Sequence, residues 1–328
     1  MSTEDGAGAA TAARATGRKL DARFVAQELL GRFGVLLGLI VLIIVFSLLS
    51  PIFLSQGNIT NILIQSSTNA IIAAGMTFVI LSANIDLSVG SVLALSSVLG
   101  TAFIADGGPI ILGVGVMLLG GIVAGSINGF TVGYLGFPAF IVTLATMWLF
   151  RGSAYVFTNG QAVTGLPRDF RILATGEVAG VPYIVIVMIL VYATCYFVLA
   201  RTTFGRQVYA VGDNKEAARL SGVNVKRVTA AVFVISGLMA AIGGVVLSSR
   251  LFSGQPVAGI TFELSAIAAV VIGGTSLSGG KGGILGTLVG AIFIATLING
   301  LVILNVTSFW QQLIMGLVVL GAVGIDQY

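Results

Sequence analysis

The sequence predicts an all-α membrane protein of roughly ten transmembrane helices, arranged as two five-span halves of opposite orientation. Three observations predict it. Of 328 residues, 57% are hydrophobic and only 9% charged, with a mean hydropathy of +1.07, where soluble domains carry roughly 25% charged residues. Apolar runs of about 20 residues, enough to cross a bilayer as a helix, recur along most of the chain. Two short patterns also repeat at close to half the chain length. Ile85-Asp86-Leu87-Ser88 resembles Phe262-Glu263-Leu264-Ser265, and Ile127-Asn128-Gly129 resembles Ile298-Asn299-Gly300.

Residues 1–33 are rich in Ala and Gly and include Arg14, Arg18, Lys19, Arg23 and Arg32. Without an apolar core they read as a disordered basic tail, not a signal peptide. A transmembrane domain is expected over 34–328. Its first span, near 34–50, is stopped by Ser50-Pro51. Spans follow near 67–83, 88–105, 110–134 and 138–157. A polar loop at 158–181 precedes a span near 182–200. After a charged loop at 201–227 come spans near 229–248, 262–278, 284–304 and 309–325. Equivalent points of the repeated patterns lie five spans apart, which inverts one half relative to the other.

Charge fixes the expected orientation. The net charge of +4 is concentrated in the tail and in the loop holding Arg201, Arg206, Lys215, Arg219, Lys226 and Arg227. By the positive-inside rule both are cytoplasmic, and the even number of spans between them agrees. The 158–181 loop then lies outside and both termini inside. Basic clusters flanking spans imply contact with membrane lipids and argue against a nucleic-acid partner.

Several chemistries find no support. The chain has no His, so imidazole catalysis and His metal sites are excluded. Its single Cys195 lies in an apolar run and reads as a small buried hydrophobe. No nucleophile–base pair or zinc-ligand spacing stands out, so the chain reads as a non-enzyme. Gly273 to Gly283, GGTSLSGGKGG, departs from the phosphate-loop rule: Thr275 stands where the first Gly belongs, and Gly282 replaces the hydroxyl residue. It reads as a glycine-rich turn with Lys281 near the cytoplasmic surface. The spacings Gly121/Gly125 and Gly286/Gly290 fit close helix packing within one subunit, with a dimer seam as the other reading.

Polar residues in apolar surroundings are the candidate sites. Asp86 and Glu263 would be functional candidates at membrane depth. In interfacial loops, Asp86 or Ser88 would cap one span, and Thr261 or Glu263 another. Asn69, Asn128, Thr146 and Asn299 are candidates for a translocation path, or else helix-packing hydrogen bonds. The stretch VGDNKEAARLSGVNVKRV, Val211 to Val228, is out of character in so apolar a chain. Asp213 and Glu216 have capping-box spacing, Lys215-Glu-Ala-Ala-Arg-Leu is good helix sequence, and Gly222 is placed as a C-cap glycine. A two-turn helix over 214–221 is expected. So short a helix is marginal alone and needs a partner surface.

The stretches SSTNAIIAAGMTFVILSANIDLSVGSVLAL, GRQVYAVGDNKEAARLSGVNVKRV and FELSAIAAVVIGGTSLSGGKGGILGTLVGA resemble the permease subunits of bacterial ABC sugar importers of the ribose type. Relatives for xylose, arabinose, galactosides and autoinducers share most of these blocks. The likeness runs in order through nearly everything after residue 34. It implies a cobalamin-importer-like permease in the bacterial inner membrane. It implies a second permease copy, a partner ATPase that binds ATP-Mg while this chain binds no cofactor, and a periplasmic sugar-binding protein. It also makes Asp213, Asn214, Lys215, Glu216, Ala217, Ala218, Arg219, Leu220, Ser221 and Gly222 the segment that docks on the ATPase. The end of the chain, GIDQY, departs from relatives in lacking a basic run. The competing expectation is an ion-coupled secondary transporter or channel for a small polar solute, which the inverted repeat alone would permit.

Overall fold

The structure, a computed structural model, describes residues 22–327. Thirteen helices follow one another among them: α1 (Ala22–Leu49), α2 (Gln56–Leu81), α3 (Val89–Ala105), α4 (Ile110–Gly133), α5 (Ala139–Thr158), α6 (Ile172–Thr175), α7 (Tyr183–Arg201), α8 (Thr203–Asp213), α9 (Lys215–Leu220), α10 (Val225–Leu251), α11 (Phe262–Ile272), α12 (Ile284–Ile303) and α13 (Ser308–Gln327). The expected 1–33 tail lies outside the described residues up to residue 21, and residues 22–33 form the first turns of α1.

Helices α2, α4, α5, α7, α10 and α12 are long and apolar enough to cross a membrane. Gly34–Leu49 of α1, α3, α11 and Ser308–Gly321 of α13 are shorter apolar helices. These correspond in order to the expected spans, with two corrections. Helix α2 begins at Gln56, not near 67, because Gln56, Asn58, Thr60 and Asn61 lower the hydropathy of its first turns. Ser55 Oγ caps it by accepting from Asn58 N at 3.4 Å. Helix α11 stops at Ile272, not near 278, because Gly273 and Gly274 follow. Gly274 has φ 82°, a left-handed conformation that ends the helix. Residues 273–283 form the glycine-rich turn expected there, with Lys281 exposed.

Packing follows the internal repeat. Helix α10 lies along α4 as α2 lies along α12, and α3 packs on α10 as α11 packs on α2. The pairs α3–α4 and α3–α5 have counterparts in α11–α12 and α11–α13. Exchanging each helix for the one five spans away therefore preserves these contacts.

Helices α3 and α11 are short: 17 and 11 residues, about 25 and about 16 Å at 1.5 Å per residue. Each is approached by irregular backbone, at 82–88 and 252–261. The two starts meet inside the bundle. A Cβ on Gly90 would meet the Gly259 carbonyl, and Glu263 Oε2 at 2.6 Å. Irregular backbone at such depth survives only where protein satisfies it.

Glycines bring the longest contact together. Gly121, Gly125, Gly129 and Gly133 form one ridge of α4 laid on α10. A Cβ on Gly125 would come 2.9 Å from Val234 Cα, and one on Gly129 would come 2.9 Å from Ala230 Cα. Gly286 and Gly290 likewise meet the end of α11 at Gly273 and Ala269. Both glycine spacings thus pack helices within one subunit. A bulky side chain in the α4 seam forces the helices apart, at about 1–3 kcal/mol or more. Gly125→Leu should lower the heating midpoint of the detergent-purified protein. Gly115→Leu, on the same helix with open space at its Cβ, should leave it unchanged. Loss of the monodisperse chromatographic peak on heating reads both.

Candidate functional site

Three features bear on function: an exposed short helix at one end, a buried polar centre, and a separate cavity lined by Asn69. The exposed helix is built on α8, a helix within the 201–227 segment expected as a loop. Thr202 Oγ1 caps α8 by accepting from Gly205 N at 3.2 Å. Val208 and Val211 are fully buried, with Phe204 half-buried one turn earlier. That apolar stripe, at positions 204, 208 and 211, was the available signal. Tyr209 Oη donates to Gly282 O at 3.0 Å. Gly212 sits against the Leu81 carbonyl, and a Cβ there would come 2.6 Å from Gly280 N.

Helix α9 is one residue shorter at each end than the expected 214–221. Its cap is Asn214, not Asp213: Asn214 Oδ1 accepts from Glu216 N at 3.0 Å and Ala217 N at 2.9 Å. Asp213 is taken up as the last residue of α8, so no capping box forms. Glu216 is left free to bind Arg219, which donates Nε and Nη2 to its two carboxylate oxygens at 3.0 and 2.6 Å. This bond holds the Glu216 carboxyl below its ordinary pKa and raises the Arg219 guanidinium. The pair is kept above the carboxylate range and is lost as pH falls and Glu216 protonates. Gly222 closes the helix at φ 85°, with Val223 N donating to Ala218 O at 3.0 Å. From Asp213 to Gly222 every residue is exposed except Ala218, and Leu220 is 75% exposed.

The polar centre gathers four of the sequence candidates. Asp86 is buried at 1% exposure. Its Oδ1 accepts from Ser88 N at 2.9 Å and Ser88 Oγ at 2.6 Å, and its Oδ2 accepts from Ser236 Oγ of α10 at 2.8 Å. Asn128 Nδ2 donates to Ser88 Oγ at 2.8 Å, and Asn128 Oδ1 accepts from Thr146 Oγ1 at 2.8 Å. Two expectations are corrected here. Asp86 is not in an interfacial loop, since residues 82–88 rise to meet Ser236, eleven residues into α10. Ser88 precedes α3 but makes no side-chain cap, because its hydroxyl is spent on Asp86. Asn128 and Thr146 are joined to each other as packing bonds between α4 and α5. Ser236 and Thr143, which donates to Ile85 O at 3.3 Å, gave no signal among apolar neighbours.

Glu263 lies in the first turn of α11, and Thr261 precedes it at φ 69° without a side-chain cap. Arg151, an isolated cation in the α5 run, donates to Pro256 O at 2.7 Å and Ala258 O at 2.5 Å. It ties the second irregular segment to α5. Asn299 of α12 donates to Asn58 Oδ1 of α2 at 3.0 Å, a packing bond that joins the two halves. Asn69 lies elsewhere, on a cavity between α2, α10, α11 and α12.

Asp86→Ala would strand three donors, at about 1–3 kcal/mol for each group left unsatisfied. It should lower the melting midpoint clearly. Asp86→Asn keeps the shape and an acceptor for Ser88, so it should fold and transport. Thermal melts and uptake, measured on the same two variants, check this. Complete loss of transport in a folded Asp86→Asn protein would assign the carboxylate a mechanistic role.

Comparison with known proteins agrees with this architecture. A family profile described as "Branched-chain amino acid transport system / permease component" matches residues 58–323. The ribose import permease protein RbsC of Haemophilus influenzae is 47% identical over 296 residues, covering 89% of this chain and 92% of that protein. RbsC of Bacillus subtilis is 46% identical, over 90% and 92%. The D-allose transport system permease protein AlsC of Escherichia coli is 40% identical, over 90% and 91%. No solved structure matches the chain significantly. These relatives are transport subunits, not enzymes, and they favour the importer over the ion-coupled reading. With two-thirds of its length and more matched, the chain belongs to this family of multi-pass importer permeases.

Proposed function

We propose that this permease carries ribose or a closely related monosaccharide across the bacterial inner membrane, driven by an ATPase that docks on α9. The names of its relatives, permeases for ribose import and D-allose transport, supply the sugar class. The carrying observation is α9 itself: a capped, internally paired helix with nine of its ten flanking and helical residues exposed and Leu220 projecting as an apolar knob. A solvated loop needs neither two caps nor an exposed leucine. ATP and Mg²⁺ bind on the ATPase, and a sugar-binding protein delivers the substrate at the opposite end. Two copies of the permease form the membrane unit as a homodimer. The basic α8–α9 end faces the cytoplasm with both termini, and the 158–181 loop faces outward.

The docking assignment is tested with a charge swap. Glu216→Arg combined with Arg219→Glu keeps an i,i+3 pair while reversing the surface the ATPase meets. Leu220→Asp removes the knob. Each should weaken co-purification of the ATPase by about tenfold or more, the scale of one lost hot-spot contact, with the permease still monodisperse. Wild-type ATPase binding by both variants overturns the assignment. Sugar uptake in proteoliposomes should require permease, ATPase, binding protein and ATP together. Uptake by the permease alone on an ion gradient would return the ion-coupled reading.

A further inference from the structure

The cavity beside Asn69 has the features of a ligand site, not of a packing fault. Its volume is about 220 Å³. That holds about seven waters at about 30 Å³ each, and it is smaller than the pockets of about 300 Å³ and more that take drug-sized ligands. One wall is a turn of α2 bearing Gln65, Thr68 and Asn69. Arg250 near the end of α10 and Phe262 and Ser265 at the start of α11 face it, and the floor is aliphatic, from α12. Thr68 is 3% exposed, yet its Oγ1 has no hydrogen-bond partner, and neither does the buried Oδ1 of Asn69. Buried polar atoms are normally paired; both oxygens are closed to a water-sized probe, so a ligand bonds them only as the Thr68 and Asn69 side chains turn toward the cavity their residues line. Arg250 forms no ion pair among the described residues.

The chemistry of the lining selects the ligand. Two carboxamides, each donor and acceptor, three hydroxyls (Ser66, Thr68 and Ser265) and a guanidinium offer hydrogen bonds in several directions. The ring of Phe262 offers an apolar face. The lining holds no carboxylate to attract a cation, and one cation among neutral groups is a poor match for a dianion. The ligand class that fits is a small, neutral, polyhydroxylated ring. The position fits passage as well. Asn69 lies twelve residues from the Leu81 end of α2, about 18 Å along the helix. It is therefore well inside the bundle, on the far side of the centre from α9.

We propose that this cavity is a monosaccharide subsite within the permease, with Asn69, Gln65 and Arg250 bonding sugar hydroxyls and Phe262 stacking on the ring. The proposal rests on the import reading, and it assigns a weak but selective stopping point to the path itself, in addition to any selection by the binding protein.

The chain's only thiol, Cys195, is buried, which makes an introduced cysteine readable. In the complete transporter, Asn69→Cys in a Cys195→Ala background is treated with a small neutral methanethiosulfonate, and modification is followed by intact mass. D-ribose at high millimolar concentration should slow modification several-fold, whereas ribose 5-phosphate should not. Ser265→Cys serves in the same way should the first variant fail to assemble. Asn69→Leu should reduce sugar uptake by about tenfold, the scale of one lost hydrogen bond, while ATP hydrolysis stimulated by the loaded binding protein persists. Cysteines that do not react, or that react equally with and without sugar, overturn the subsite, as does wild-type uptake by Asn69→Leu. Protection by the phosphate ester alone would overturn the neutral-sugar assignment. Absence of any uptake by the wild-type complex would instead strike the import reading.

Discussion

Two stretches of irregular backbone lie inside this bundle, and bilayer surroundings offer their polar groups no water. Every exposed amide and carbonyl there must find a partner in protein, and the rest of the structure is arranged around that demand. In the first stretch, Asp86 gathers Ser88 and Ser236 while Thr143 reaches the Ile85 carbonyl. In the second, Arg151 takes the Pro256 and Ala258 carbonyls, and Gly254 exchanges backbone bonds with Val163 at 2.8 and 2.9 Å. Both solutions recruit α5, and the first also recruits α10. The glycine ridge of α4 is what brings α10 close enough for Ser236 to reach Asp86.

The sequence carried much of this, for identifiable reasons. Number and order of spans were legible because lipid demands long apolar runs, and the break between α10 and α11 was legible through its glycines and polar residues. The repeat was legible because both halves need a short polar prelude before a shortened helix. What stayed hidden depended on distance in three dimensions. Whether Asp86 capped an interfacial helix or sat in the core could not be read from SANIDLSVGS, because the answer lies 150 residues away at Ser236. The first turns of α2 were missed because Asn58 and its neighbours look like loop until Asn299 gives Asn58 a partner.

Of the four residues considered for a translocation path, the structure separates one from three. Asn128, Thr146 and Asn299 each hold a partner on a neighbouring helix. Asn69 and Asn299 each keep an unpaired Oδ1, but the Asn299 amide nitrogen is held by Asn58, whereas Asn69 lines a cavity. Pattern alone could not make that distinction, since an asparagine in an apolar helix looks the same whether its amide meets another helix or empty space. The cap of α9 is a smaller case of the same kind. Asp213 and Asn214 are equally good acceptors, and the extension of α8 decided between them.

At the α9 end, the Leu81 carbonyl of α2 accepts from Gly280 N at 3.0 Å, and Gly212 of α8 is pressed against both. Leu81 belongs to the first half of the repeat and Gly280 to the second. The support of α9 is therefore keyed into the joint between the halves. With no side chain at Gly212 or Gly280, no flexible contact is present to absorb a displacement. A force applied to α9 reaches both halves at once, as a shaft turns two gears meshed on the same pinion, and a change of tilt in either half is felt at α9.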